Sequence, residues 1–165
     1  MKRIARFCKV SEERFILDGG TKDSYYKIKL PKRATAGSAG YDFFTPVSFT
    51  LKPGETIKIP TGIRAEINEG WVLSIYPRSG LGFKYRLQLN NTVGIIDSDY
   101  FYSDNEGHIQ IKLTNDSKEG KILSLEEGQA FCQGVFTEYG ITFDDDAKEK
   151  RNGGFGSTGK KPTVR

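Results

Sequence analysis

The chain has 165 residues, of which 36% are hydrophobic, and this length accommodates one domain with a substantial core rather than two. Its 25 Lys and Arg residues exceed the 21 Asp and Glu residues; the net charge of +4 suits an anionic ligand but does not by itself indicate duplex DNA binding. Cys8 and Cys132 lie far apart without nearby His or Cys, so neither a zinc site nor a disulfide framework is predicted. We therefore expect a cytoplasmic protein with no signal peptide and no membrane-spanning segment.

Short runs of alternating apolar and polar residues predict β-strands along most of the chain. The clearest runs are Thr56–Pro60, Ile63–Ile67, Leu87–Leu89 and His108–Leu113. Clusters rich in Gly, Asn, Asp and Pro separate them and favour turns. No apolar stripe of helical spacing continues for three turns outside the termini. The pattern predicts an all-β domain of the jelly-roll or distorted β-barrel type.

The composition changes near residue 143. We predict a β domain over residues 1–143, in which residues 1–25 form an N-terminal extension, and a flexible C-terminal arm over residues 144–165. The arm is charged and Gly-rich and has almost no core-forming side chains. Its exception is Phe155, whose neighbouring glycines would let the backbone approach a ligand closely.

Five segments combine small residues with polar side chains suited to phosphate chemistry. In chain order, they are ATAGSAGYDF (34–43), PRSGLG (77–82), NTVGIIDSDY (91–100), GQAFCQG (128–134) and RNGGFGSTG (151–159). The guanidinium of Arg78 fits a phosphate through two hydrogen bonds. Asp97 follows an apolar strand and is suited to activate a water molecule, although capping of a turn explains this segment alone equally well. Asp42 is suited to hold water ligands of Mg²⁺.

Taken in order, the five segments resemble the five motifs of the trimeric dUTPase family, over about residues 27–160. The resemblance implies a β jelly roll assembled as a homotrimer, in which a neighbour's C-terminal arm completes each active site. It also implies Mg²⁺-assisted hydrolysis of dUTP to dUMP and pyrophosphate, which keeps uracil out of DNA and supplies dUMP for thymidylate synthesis. Neither a membrane nor a stable nucleic-acid partner is expected.

Residue by residue, the resemblance assigns Asp97 as the carboxylate that activates water and Asp42 as a carboxylate linked to Mg²⁺ through water. Contacts around the phosphates are assigned to Arg78, Ser79, Gly80 and Gln133. Recognition of uracil is assigned to Asn91, Gly94 and Ile96. The arm residues that close on the nucleotide are Arg151, Phe155, Gly156, Ser157 and Thr158, with the ring of Phe155 over the base.

The aromatic residue beneath the deoxyribose is assigned by the resemblance to Tyr100, whose ring would leave no space for a ribose 2′-hydroxyl. An insertion, Phe101 to Asp104, follows it, so Tyr102 is the alternative for this position. The fourth segment departs from the family pattern at residues 129–132. The first 25 residues lie outside the resemblance, and three alternatives stay open for them: an added strand, a trimer contact or no role.

Three other functions are compatible with the sequence. A dCTP deaminase would share the fold and the phosphate contacts but would release ammonia from cytosine. A nucleotide-binding regulatory module would use the closed site to control a protein partner. A nucleic-acid-binding protein would bind DNA with a steep dependence on salt concentration.

Overall fold

The computed structural model describes residues 1–149, 151 and 153. Most of its regular structure is β-strand, and the prediction of an all-β, jelly-roll-like fold is confirmed. The strands are β1 (Ala5–Lys9), β2 (Lys32–Arg33), β3 (Tyr41–Phe44), β4 (Phe49–Leu51), β5 (Thr56–Pro60), β6 (Ile63–Ile67), β7 (Trp71–Pro77), β8 (Leu87–Leu89), β9 (Gly94–Ile96), β10 (Gln110–Asn115), β11 (Leu123–Leu125) and β12 (Ala130–Glu138). The helices are α1 (Glu12–Leu17), α2 (Lys22–Lys27), α3 (Ser79–Tyr85) and a 3₁₀-helix over Ser98–Tyr102.

The strands form four antiparallel sheets. The largest, which we call the large sheet, has the order β2-β3-β12-β7-β9, and a three-stranded sheet has the order β5-β10-β8. Strands β1 and β6 form one two-stranded sheet, and β11 and β4 form the other. One cluster of buried apolar side chains receives residues from all four sheets, including Phe43, Ile59, Ala65, Leu73 and Leu123. This shared core joins the sheets into one domain.

Alternation along the sequence matches alternation of burial along the strands. In β6, every second side chain, at Ile63, Ala65 and Ile67, is buried, which is the two-residue period of a strand with one face on the core. The strand predicted from His108 begins later, at Gln110, because the His108 amide donates to the carbonyl of Asn105 in a turn. The other three predicted runs coincide with β5, β6 and β8.

The N-terminal extension contributes to the same domain. Strand β1 pairs with β6, with Ala5 opposite Ile67 and Lys9 opposite Ile63. Helix α1 begins after Ser11, whose hydroxyl accepts a hydrogen bond from the Arg14 amide. Phe15 in this helix is fully buried in the core. Within the described part of the chain, no helix has the length and apolar character needed to cross a membrane.

Candidate functional site

A polar pocket lies where the end of β7 meets β3 and β12. Cys132 of β12 lies opposite both Phe43 of β3 and Pro77 of β7, so the three strands are adjacent at this point. The pocket is lined by Ala34, Ser38, Gly40, Asp42, Arg78, Ser79 and Gln133. Four residues assigned from the sequence, which come from three separate segments of the chain, therefore lie together: Asp42, Arg78, Ser79 and Gln133. Gly80 follows Ser79 in the first turn of α3.

An ion pair and an amide shape this pocket. Nε of Arg78 lies 3.1 Å from Oδ1 of Asp42, and their side chains are 44% and 19% exposed, so a ligand can reach both. Because the contact uses Nε, the two terminal amino groups of the guanidinium can still donate two hydrogen bonds to a phosphate. Gln133 Nε2 donates to the carbonyl of Pro77 at 3.3 Å, which orients this side chain beside the start of α3.

Two residues at the loop between β2 and β3 have roles that the sequence did not predict. Arg33 Nη1 donates to the carbonyls of Ala36 and Ser38, at 2.8 and 3.1 Å. At Gly40, an added Cβ would lie 2.5 Å from Oε1 of Gln133, so glycine is required for Gln133 to occupy its position. The glycine belongs to a small-residue cluster visible in the sequence, but its partner across the sheet is set by strand register.

A second group of charged residues follows β9. Asp97 lies between β9 and the 3₁₀-helix, and Asp99 lies within that helix. Nη2 of Arg151 donates to Oδ2 of Asp97, and its Nε donates to Oδ1 of Asp99 at 3.0 Å. Arg151 of the arm therefore contacts the carboxylate assigned to water activation in its own chain. The assigned arm residues Phe155, Gly156, Ser157 and Thr158 lie outside the described residues.

The hairpin assigned to uracil recognition connects β8 to β9. Asn91 is exposed at its tip, and Thr92 has a positive φ of 68° that turns the chain tightly. Among the described residues, β9 is an edge strand of the large sheet, so one side of its backbone, around Ile96, has peptide groups that pair with no other described strand. At Gly94, an added Cβ would lie 3.1 Å from Cβ of Ile75, so glycine lets β9 approach β7 closely.

The environments of Tyr100 and Tyr102 differ. Tyr100 is 6% exposed, whereas Tyr102 is 75% exposed. The Tyr100 hydroxyl donates to the carbonyl of His108 and accepts from Nδ2 of Asn105, both at 2.8 Å. Burial raises the pKa of this hydroxyl, partly offset by the hydrogen bond from Asn105. Tyr100 therefore has a fixed orientation, while Tyr102 packs edge-on against the ring of Phe101.

The pocket and the carboxylates lie at different positions along the large sheet. Leu73 of β7 is opposite Ile96 of β9, whereas the pocket begins after Pro77. The interval from Leu73 to Arg78 corresponds to roughly 16 Å of extended strand. Because β9 runs antiparallel to β7, Asp97 lies still further from Arg78. A single chain thus brings together the pocket residues and, separately, the carboxylates with Arg151, but does not join the two groups.

The fold and these two groups define an all-β domain suited to a phosphorylated ligand. Residues 26–159 match the family described as dUTPase. A deoxyuridine 5'-triphosphate nucleotidohydrolase of Lactococcus lactis is 42% identical over 142 residues, covering 84% of this chain and 93% of that protein. The chain therefore belongs to the dUTPase family, which confirms the resemblance found in the sequence.

Solved structures agree with this assignment. The crystal structure of a dUTPase from Streptococcus mutans superimposes with a TM-score of 0.64 at 33% identity, covering 82% of this chain and 97% of that one. A mutant dUTPase from phage phi11 of S. aureus, whose structure details coordination of a structural Mg(II) ion, has a TM-score of 0.64 at 20% identity. It covers 89% of this chain and 98% of its own, and this likeness shows the fold alone.

Proposed function

We propose that this chain hydrolyses dUTP to dUMP and pyrophosphate. The observation that supports this most directly is the convergence of Arg78, Ser79 and Gln133 beside Asp42 in one polar pocket. A guanidinium, a hydroxyl and an amide together offer several hydrogen-bond donors to a polyphosphate, and the guanidinium also offsets its charge. The family membership then supplies the substrate, because the related Lactococcus protein is named for the triphosphate of deoxyuridine.

In the proposed reaction, Asp97 orients a water molecule and accepts its proton as the water oxygen bonds to the α-phosphorus. The bond from the α-phosphorus to the bridging oxygen breaks, and this oxygen leaves with pyrophosphate. Arg151 contacts this carboxylate within the chain. We propose that the phosphates draw Arg151 away, so that Asp97 becomes available to the water and Arg151 offsets charge on the leaving pyrophosphate. The remaining assigned arm residues would close over the nucleotide and exclude bulk water.

The donor set fits Mg²⁺ that arrives with the triphosphate. Among the described residues, no group of three or more His, Cys, Asp or Glu side chains could hold a metal ion. Mg²⁺ usually keeps several waters and binds through substrate phosphates plus few carboxylates. Asp42, at the pocket wall, is the carboxylate we propose to accept hydrogen bonds from those waters. When bound, Mg²⁺ would offset negative charge on the triphosphate.

Base and sugar selection are proposed to come from two separate elements. The backbone of the hairpin around Asn91, Gly94 and Ile96 would pair with the acceptor, donor and acceptor edge of uracil, and cytosine would leave these groups unpaired. Tyr100, rather than Tyr102, is proposed to lie beneath the deoxyribose. Its burial and its two hydrogen bonds hold the ring in one place, which exclusion of a 2′-hydroxyl requires.

We further propose that the active form is a homotrimer with shared sites. The separation of Asp97 from Arg78 within one chain supports this, because the reaction needs both groups at one triphosphate. In a closed symmetric ring, the carboxylates of one subunit can face the pocket of the next. The cytoplasmic location is proposed on the free state of Cys8 and Cys132.

The decisive assay measures pyrophosphate and ammonia released from dUTP, UTP and each of the four common dNTPs, with and without Mg²⁺. We expect pyrophosphate to be released from dUTP and from none of the other nucleotides, and only when Mg²⁺ is present. Release of ammonia from dCTP would indicate the deaminase instead. Nucleotide binding without turnover would indicate a regulatory module, and salt-sensitive DNA binding without turnover would indicate a nucleic-acid-binding protein.

A further inference from the structure

The end of helix α1 contacts the ring of His108, a buried histidine of the loop before β10. Oδ2 of Asp18 lies 2.6 Å from Nδ1 of this ring, which is fully buried. The amide of Gly62 donates to Nε2 of the same ring at 2.8 Å. Because Nε2 accepts this hydrogen bond, the proton of the neutral ring lies on Nδ1 and is donated to Asp18. The ring is thus fixed from two sides.

The same loop holds the hydroxyl of Tyr100. The carbonyl of His108 accepts from this hydroxyl, and Nδ2 of Asn105 donates to it. Oδ1 of Asn105 accepts from the amide of Gly107, which fixes the amide group of the side chain. At Gly107, an added Cβ would lie 2.7 Å from backbone atoms of Tyr100 and Phe101, so the loop packs directly against the tyrosine backbone. A shift of this loop would therefore move Tyr100.

A second contact joins the N-terminal extension to the segment after Tyr100. Glu106 accepts hydrogen bonds from the amide and the hydroxyl of Ser11, at 2.8 and 2.6 Å. Burial by itself would raise the pKa of Glu106, but these two hydrogen bonds and the nearby Arg64 bring it below its usual value. Arg64 also lies 3.6 Å from the centroid of the Phe101 ring and donates to the Phe101 carbonyl at 2.5 Å. The chain is therefore held at Phe101, where the inserted segment begins, and at Glu106, just after the segment ends.

We infer that helix α1 is a positioning element for Tyr100 and thereby sets the preference for dUTP over UTP. Asp18 acts through His108, and Ser11 acts through Glu106. The inference rests on the proposed function, in which Tyr100 lies beneath the deoxyribose. These two residues cap the ends of α1, and neither belongs to the part of the chain that matches the family, which begins at residue 26. The selectivity of the site thus depends on a segment that precedes the family's common domain.

Discrimination against a hydroxyl group is sensitive to such positioning. A ring that excludes the 2′-hydroxyl does so by contact, and a displacement of a fraction of an ångström relieves the contact. Loss of the Asp18 carboxylate would leave Nδ1 of the buried His108 without its partner, and the ring and its loop would adjust. The expected consequence is a shift of Tyr100, which changes the sugar preference more than it changes turnover of dUTP.

The test compares kcat and KM for dUTP and UTP in Asp18→Ala and in a matched control. The control, Thr21→Ala, removes the capping box of α2 in the same extension, without contacting His108. We expect Asp18→Ala to lower the ratio of kcat/KM for dUTP to that for UTP by about tenfold, whereas the control keeps the ratio. The amide oxygen of Asp18→Asn can still accept from Nδ1, so this variant should recover most of the ratio.

Stability and selectivity are separated by a second variant and by thermal unfolding. If Asp18→Ala does not fold, Glu106→Gln replaces it, since it weakens the contact with Ser11 without changing the His108 ring. We expect Glu106→Gln also to lower the ratio of kcat/KM for dUTP to that for UTP. An unchanged ratio in a folded variant, with normal dUTP hydrolysis by the unmodified chain, would overturn the inference and leave the proposed function intact. If the unmodified chain does not hydrolyse dUTP, the proposed function fails first and the inference falls with it.

Discussion

Two inactive variants of this chain should restore each other's activity when they are mixed. Arg78→Ala removes the guanidinium of the pocket, and Asp97→Asn removes the proposed base. Each should reduce turnover by about 10²–10⁴-fold, the usual contribution of a positioned acid-base group or charge stabiliser. Arg78 lies roughly 16 Å along the strand from Leu73, and Leu73 is opposite Ile96, the residue before Asp97. One chain therefore does not place both groups at one triphosphate.

The expected recovery follows from counting intact sites. If the pocket comes from one subunit and the carboxylate from another, each site in a random equimolar mixture receives an intact pocket with a probability of one half. The probability that the same site receives an intact carboxylate is also one half, and it is independent of the first because the carboxylate comes from a different subunit. About one quarter of the sites should therefore be intact, with about one quarter of the unmodified activity. If both groups come from one chain, no site contains both and the mixture stays inactive.

The assay is pyrophosphate release from dUTP by subunits that have been unfolded together and refolded. Light scattering establishes the oligomeric state, and two tags of different mass on the two variants establish that mixed oligomers have formed. In the control, Arg86→Ala takes the place of Arg78→Ala. Arg86 is exposed and pairs with Asp116 outside the pocket, so this variant should be active alone. Mixed oligomers that contain both variants and remain inactive would refute the shared site.

Three further outcomes are expected. Gly40→Ala should leave the melting temperature nearly unchanged but reduce pyrophosphate release, since its Cβ would meet Gln133 at 2.5 Å and displace it from the pocket. Burial lowers the pKa of His108 below its usual 6.5, despite the opposing effect of Asp18. The contribution of the neutral His108 ring to stability is therefore complete above pH 6.5, and it is lost as the pH falls through the lower pKa of the folded state. His108→Gln should therefore flatten this part of the dependence of the urea midpoint on pH. Removal of residues 151–165 should abolish activity without lowering the melting temperature much, because no described residue of the apolar core follows Phe136.

The residues of the pocket could be named from the sequence because five segments in order resemble the motifs of the dUTPase family. Taken alone, the small residues next to Asp42 and the Arg-Ser pair after an apolar strand fit tight packing or a turn as well as a phosphate contact. The pairing of Arg33 with loop carbonyls was missed, since any exposed arginine has the same appearance in a sequence. Helices α1 and α2 were missed because each spans only six residues, too short for a helical period to emerge.

The separation of Asp97 from Arg78 within one chain could not be predicted from local patterns, because it depends on strand register. The sequence indicates that Asp97 follows an apolar strand, but not that Ile96 lies opposite Leu73 rather than Pro77. A different register would have placed the carboxylate beside Arg78 in the same chain. The network from Asp18 through His108 to Tyr100 is equally inaccessible, since its first two members are 90 positions apart.

The contact between Arg151 and Asp97 is weak enough for a bound triphosphate to compete with it. The two side chains are 22% and 43% exposed, and an ion pair of this kind contributes roughly 0–1 kcal/mol. A triphosphate offers several negative charges to the same guanidinium, in a geometry that permits two hydrogen bonds. The substrate can therefore compete for Arg151 at little cost, and its departure leaves Asp97 free at the moment when water must be activated. Under the proposed mechanism, the position of the arm is thus set by the ligand rather than by a strong contact within the chain.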